Sequence, residues 1–168
     1  NYSNNIKFTK YNKDIIKGIE VARSNIAKLI GGETKDIVFT SGATEANNMA
    51  IKGLESKIKR GKNHFITLNT EHKCVLEAMR RVELNGGQLS ILKVNKKGLI
   101  DPKIIEKNIK SNTALVSIMF ANNETGVIQP LKQIAQICKE KKVLFNSDAA
   151  QAVGKVKINV KDMGIDLM

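Results

Sequence analysis

Over residues 14–30 the apolar positions Ile15, Ile16, Ile19, Val21, Ala22, Ile26, Ala27, Leu29 and Ile30 recur at helical spacing, and Gly31-Gly32 stops the run, which predicts an amphipathic helix. Residues 37–40 (IVFT) predict a short strand that turns at Ser41-Gly42 into a helix over 44–58. A second strand is expected at 64–68. It leads through Asn69-Thr70-Glu71 into a helix over 73–83, striped by Val75, Leu76, Met79 and Val82 and broken by Gly86-Gly87. Beyond it the pattern predicts a strand at 89–94, a helix at 102–109, a strand at 114–120, a helix at 130–140 and a strand at 143–145. The run ALVSIMF is apolar on both faces, as a fully covered strand requires. Strands alternating with helices predict one α/β domain, a three-layer α/β/α arrangement around a mostly parallel sheet. Ligands of such sheets bind beyond the carboxyl ends of the strands, so the residues just after each strand are the candidates for chemistry.

Four segments meet that condition. In Thr40-Ser41-Gly42-Ala43-Thr44-Glu45 a glycine turn opens a helix whose first N–H groups and dipole suit a phosphate; Thr44 could cap that helix and also offer its hydroxyl, and a plain capped turn has the same appearance. Glu71-His72 follows the second strand. His72 could lie over a planar ring or shuttle a proton, or be a satisfied structural histidine; Cys74, two residues on, reads as a small buried hydrophobe. Asn122, Asn123 and Glu124 could hydrogen-bond a ring's substituents or simply make a turn. Asp148, after the last apolar strand and near Gln151, is a carboxylate that needs a cation or serves as a cap. A protonated pyridine nitrogen is such a cation.

Composition narrows the partners. The 168 residues, 42% hydrophobic, suit a single core. The net charge of +12 is scattered along the chain, aromatics make up only 4% and tryptophan is absent, which argues against a dedicated nucleic-acid groove. Cys74 and Cys138, the two cysteines, form no metal-binding or CxxC pattern and suggest a reducing compartment. No apolar run is long enough to span a bilayer and no signal peptide opens the chain, so a soluble intracellular protein is expected. A start at Asn1 and a stop at Met168 suggest truncation at both ends. Neither GxGxxG nor GxxxxGK[ST] follows a strand, which speaks against a generic nucleotide-binding domain.

The stretches FTSGATEANNMAIKG, TEHKCVLEA, SIMFANNETGVIQPL and SDAAQAVGKVKINV, in this order and spacing, resemble the cysteine desulfurases, fold-type I enzymes of the class V aminotransferase kind that use pyridoxal 5'-phosphate (PLP). The resemblance extends over the whole chain and implies the larger part of a PLP-binding large domain, without that domain's end and without the small domain. It implies that Ala43 and Thr44 bind the cofactor's phosphate, that His72 stacks on the ring and assists proton transfer, that Asn123 and Gln151 bond the ring oxygen, and that Asp148 pairs with the ring nitrogen. The lysine that anchors the cofactor and the mobile-loop cysteine that takes up sulfur would lie beyond Met168; neither Cys74 nor Cys138 stands at that cysteine's place. The resemblance further implies L-cysteine as substrate, alanine and an enzyme persulfide as products, and iron–sulfur scaffold or tRNA-thiolation proteins as sulfur acceptors. A homodimer in the cytoplasm, or in the mitochondrial matrix or plastid of a eukaryote, is also implied. Alone, the chain would be inactive. A selenocysteine lyase suits the ANNETG and DAAQA stretches nearly as well, and a non-catalytic remnant acting as a binding module is the alternative from another class.

Overall fold

The computed structural model describes residues 10–54 and 61–168. Helix α1 (Lys10–Ile30) is followed by a single 3₁₀ turn (Thr34–Asp36) and by α2 (Ala43–Lys52). Strand β1 (His64–Leu68), α3 (Lys73–Leu84), β2 (Gln88–Leu92), α4 (Pro102–Asn108), β3 (Thr113–Ser117), α5 (Leu131–Glu140), β4 (Leu144–Asn146) and α6 (Val160–Met163) complete the order. The four strands form one parallel sheet in the order β2-β1-β3-β4.

Each face of the sheet is covered by helices. Ile66, Leu68, Val116, Ile118 and Phe145 pack with α4, α5 and the end of α1 on one side. Phe65, Ala114 and Leu115 pack with Ile51 of α2 and with Val75, Ala78, Met79 and Val82 of α3 on the other. This is the three-layer arrangement expected, and β1 and β3 are buried along their whole length, as ALVSIMF foretold. Burying one such aliphatic or aromatic side chain contributes roughly 1.5–3 kcal/mol, so the two clusters, not helix propensity, hold the layers together.

The sheet even absorbs a histidine. His64 is fully buried, with Nδ1 2.8 Å from the Thr113 hydroxyl and Nε2 2.9 Å from the Ser90 hydroxyl, while the Thr113 hydroxyl also accepts from the Lys110 N–H at 2.7 Å. Burial is the main reason that its pKa falls to about 4, with the nearby Lys110 charge acting in the same direction.

Several expectations are corrected. Residues 37–40 form no strand, because no described strand lies alongside to bond them; Val38 is 63% and Phe39 47% exposed. Arg23 instead donates to the Ile37 carbonyl and stacks its guanidinium 5.0 Å over the Phe39 ring. The helix expected over 44–58 ends at Lys52, where Gly53 caps it, and residues 55–58 of that expectation lie outside the described residues. β3 stops at Ser117, although Ile118 and Phe120 still donate to the Asn146 and Asp148 carbonyls. The short α6, capped by Asn159, was not foreseen, since one helical turn leaves no periodicity to read.

Candidate cofactor site

Chain order places β2 on one side of β1 and β3 on the other, so the winding direction switches between β1 and β3. A crevice opens beyond the carboxyl ends of the strands at such a point. Here it is a cleft of about 220 Å³, lined by Ala43, Thr44, His72, Cys74, Met119, Ala121, Asn123, Asp148, Ala150 and Gln151. All six residues singled out from the sequence (Ala43, Thr44, His72, Asn123, Asp148 and Gln151) therefore meet in one cavity, although they come from four separate stretches of the chain.

One end of the cleft is the start of α2. Gly42 occupies the N-cap at φ 157°, ψ −179°, a conformation open essentially to glycine alone, and a side chain there would meet nothing within 4 Å. The restriction is thus one of backbone, not of space. Thr44 does not cap the helix, contrary to the expectation: no side chain caps α2, and the first bond inside it runs from Ala46 N–H to the Gly42 carbonyl. The Ala43, Thr44 and Glu45 N–H groups consequently point outward without a helical acceptor. Glu45 reaches back to the Ser41 N–H at 2.6 Å, a bond that lowers its pKa and fixes the turn.

The loop after β3 divides its amides between two tasks. Asn122 is consumed by the turn: its Oδ1 accepts from Glu124 N–H, Thr125 N–H and the Thr125 hydroxyl at 2.9–3.0 Å, and its Nδ2 donates to the Thr70 carbonyl at 3.0 Å. Asn123 is the one that lines the cleft, and Glu124 does not. Gln151 keeps its amide nitrogen available while Oε1 accepts from Lys155 Nζ at 2.7 Å.

Asp148 forms the floor. Only 8% exposed, it accepts at Oδ1 from Ala150 N–H (3.0 Å) and at Oδ2 from Asn47 Nδ2 (2.9 Å), and no lysine or arginine pairs with it among the described residues. Two hydrogen bonds do not offset the burial of a full charge. A ligand with a cationic N–H fits that deficit. Asn47, buried on α2, went unnoticed in the sequence; its signal is a polar residue one helical turn after Thr44 and one before Ile51, on the face turned to the sheet.

Cys74 was expected to be a buried hydrophobe, yet it is half-buried in the cleft wall, with Sγ 3.0 Å from His72 Nδ1. His72 is the N-cap of α3. Behind it, Glu71 is only 6% exposed; Oε1 accepts from Met119 N–H at 2.8 Å, and Oε2 is buried without a partner among the described residues. Burial, more than the neighbouring Asp148 charge, raises its pKa to about 8. Cys138 lies in the core against the sheet, where burial pushes its thiol up to about 12, consistent with packing alone.

A wider groove of about 850 Å³ over α5 and α6 holds no buried titratable group and is flanked by exposed lysines. Among the described residues no three metal-ligating side chains gather, and no helix is long and apolar enough to cross a membrane.

A parallel α/β domain with a helix N-terminus, an imidazole and a cation-seeking carboxylate around one cleft defines a binding domain for an anionic, nitrogen-containing ring cofactor. The chain belongs to the aminotransferase class-V family, whose model matches residues 1–168 and whose members depend on PLP. Its relatives there include the mitosomal cysteine desulfurase of Encephalitozoon cuniculi, 53% identical over 89% of this chain, and the probable mitochondrial cysteine desulfurase of Dictyostelium discoideum, 50% identical over the same share. The chain spans 35% and 33% of those two proteins, about a third of their length. Among solved structures, a NifS-like protein superposes with a TM-score of 0.91 at 34% identity, covering 98% of this chain and 46% of its own. SspA in complex with cysteine superposes at 0.90 and 39% identity, covering 98% and 48%.

Proposed function

We propose that the chain is the PLP-binding part of a cysteine desulfurase. The observation that carries this reading is the buried Asp148 carboxylate, which no cation pairs among the described residues, in a cleft also lined by the α2 N-terminus and His72. PLP bound there supplies an electron sink for the carbon next to the substrate's amino group. Asp148 holds a proton on the ring nitrogen, which maintains that sink. Thr44 and the free N–H groups at the start of α2 bind the phosphate, Asn123 and Gln151 orient the ring oxygen, and His72 covers the ring and carries protons. In the whole enzyme the substrate is L-cysteine: its sulfur passes to an enzyme thiol as a persulfide, and alanine is released. Sulfur acceptors that build iron–sulfur clusters or thiolate tRNA, a homodimeric assembly, and a place in the cytoplasm or mitochondrial matrix complete the proposal; the acceptors and the dimer rest on the family resemblance, and mitochondrial and mitosomal relatives support the organellar alternative.

Titration of the chain with PLP, and in parallel with pyridoxal, tests the pocket. Thr44→Ala should weaken PLP binding roughly tenfold, the effect of losing a hydrogen bond to a charged group, and leave pyridoxal binding nearly unchanged. Equal effects on both ligands, or none on either, would refute the phosphate assignment. Release of alanine from L-cysteine by the enzyme in its full length tests the activity.

A further inference from the structure

The wall of the cleft contains a hydrogen-bonded line that the reading above does not use. Asn47 Nδ2 donates to Asp148 Oδ2 at 2.9 Å and also to Cys74 Sγ at 3.6 Å. Sγ lies 3.0 Å from His72 Nδ1, and the Cys74 backbone N–H donates to that same nitrogen at 3.3 Å. A backbone N–H can only donate, so Nδ1 accepts, and the neutral imidazole carries its proton on Nε2. The thiol, receiving from Asn47, is left to give its own hydrogen to Nδ1.

We propose that Cys74 is a positioning residue for His72: its thiol and backbone N–H together hold the imidazole in one orientation and as the Nε2–H tautomer, and Asn47 fastens this pair to Asp148. Burial in the cleft wall, with the Asp148 charge nearby, keeps the thiol protonated and therefore able to donate. Among the described residues nothing bonds Nε2, so the nitrogen bearing the proton is the one left free for chemistry. The consequence for proton transfer rests on the assignment of His72 to the cofactor site; the tautomer itself does not.

The test is therefore made on the cofactor-free chain. With only two histidines, the ¹⁵N–¹H long-range spectrum of the imidazoles is assignable by inspection, and fully buried His64 serves as an internal sign that each variant is folded. Wild-type His72 should show the Nε2–H pattern. In Cys74→Ala the share of the Nδ1–H form should rise roughly two- to fivefold, the effect of losing one weak hydrogen bond, while Cys74→Ser, whose hydroxyl donates in the same way, should restore the wild-type ratio. A His72 already mixed in the wild type, or a ratio unmoved in Cys74→Ala with His64 unchanged, would overturn the proposal. Failure of PLP to bind the wild type would instead strike the functional reading and leave this one standing.

Discussion

Replacing Asp148 by alanine should lower PLP affinity by roughly 30- to several thousand-fold, the equivalent of the 2–5 kcal/mol lost when one member of a buried, hydrogen-bonded charge pair is removed. The carboxylate is expensive in the free protein, where its partners are one amide side chain and one backbone N–H. It recovers that cost only when a cation arrives. Asp148→Asn should therefore separate the two roles: affinity for PLP falls steeply, while the cofactor-free variant melts no earlier than the wild type. Absorbance titration and thermal denaturation of both variants measure this. An Asn variant that binds PLP like the wild type would mean that no ring nitrogen is paired at this position.

Glu71→Gln should stabilise the chain above pH 5 and change its response to pH. Glu71 has a folded-state pKa near 8 against an ordinary 4.5, chiefly through burial, so between those values the folded chain holds a proton that the unfolded chain has lost. Stability consequently falls as pH rises through that window, by on the order of 3 kcal/mol at pH 7. Glutamine keeps an oxygen for the Met119 N–H and leaves one unpartnered atom, just as the acid does. Urea midpoints at pH 5 and pH 8 should converge in the variant and diverge in the wild type. Parallel pH profiles for the two proteins would show that the buried acid is not the group responsible.

The sheet was legible in the sequence because its strands are short apolar runs bounded by polar turns. The segment 64–68 appears at its expected bounds, and the other three observed strands shift by one to three residues at their ends. The segment 37–40 failed for a reason that local pattern does not contain: a strand exists only beside another strand. The site was legible in its parts, since each candidate stood just after a strand, but the division of labour was not. Asn122 and Asn123 are identical in type and adjacent, and only the turn geometry reveals that the first is consumed structurally and the second is free for the cleft. Asn47 and Cys74 were missed or misread because their roles arise from two helices that approach each other, α2 and α3, and so from contacts spanning 27 residues and more.

The buried amide of Asn47 also makes the site depend on a single nitrogen atom. Asn47→Asp would exchange a nitrogen donor for a second carboxylate, facing the first where the 2.9 Å hydrogen bond now runs. Two acids so close repel each other, and Asp148 would no longer offer a ring nitrogen the only negative charge beside it. The Asn47→Asp variant should therefore bind markedly less PLP than the wild type in the same titration.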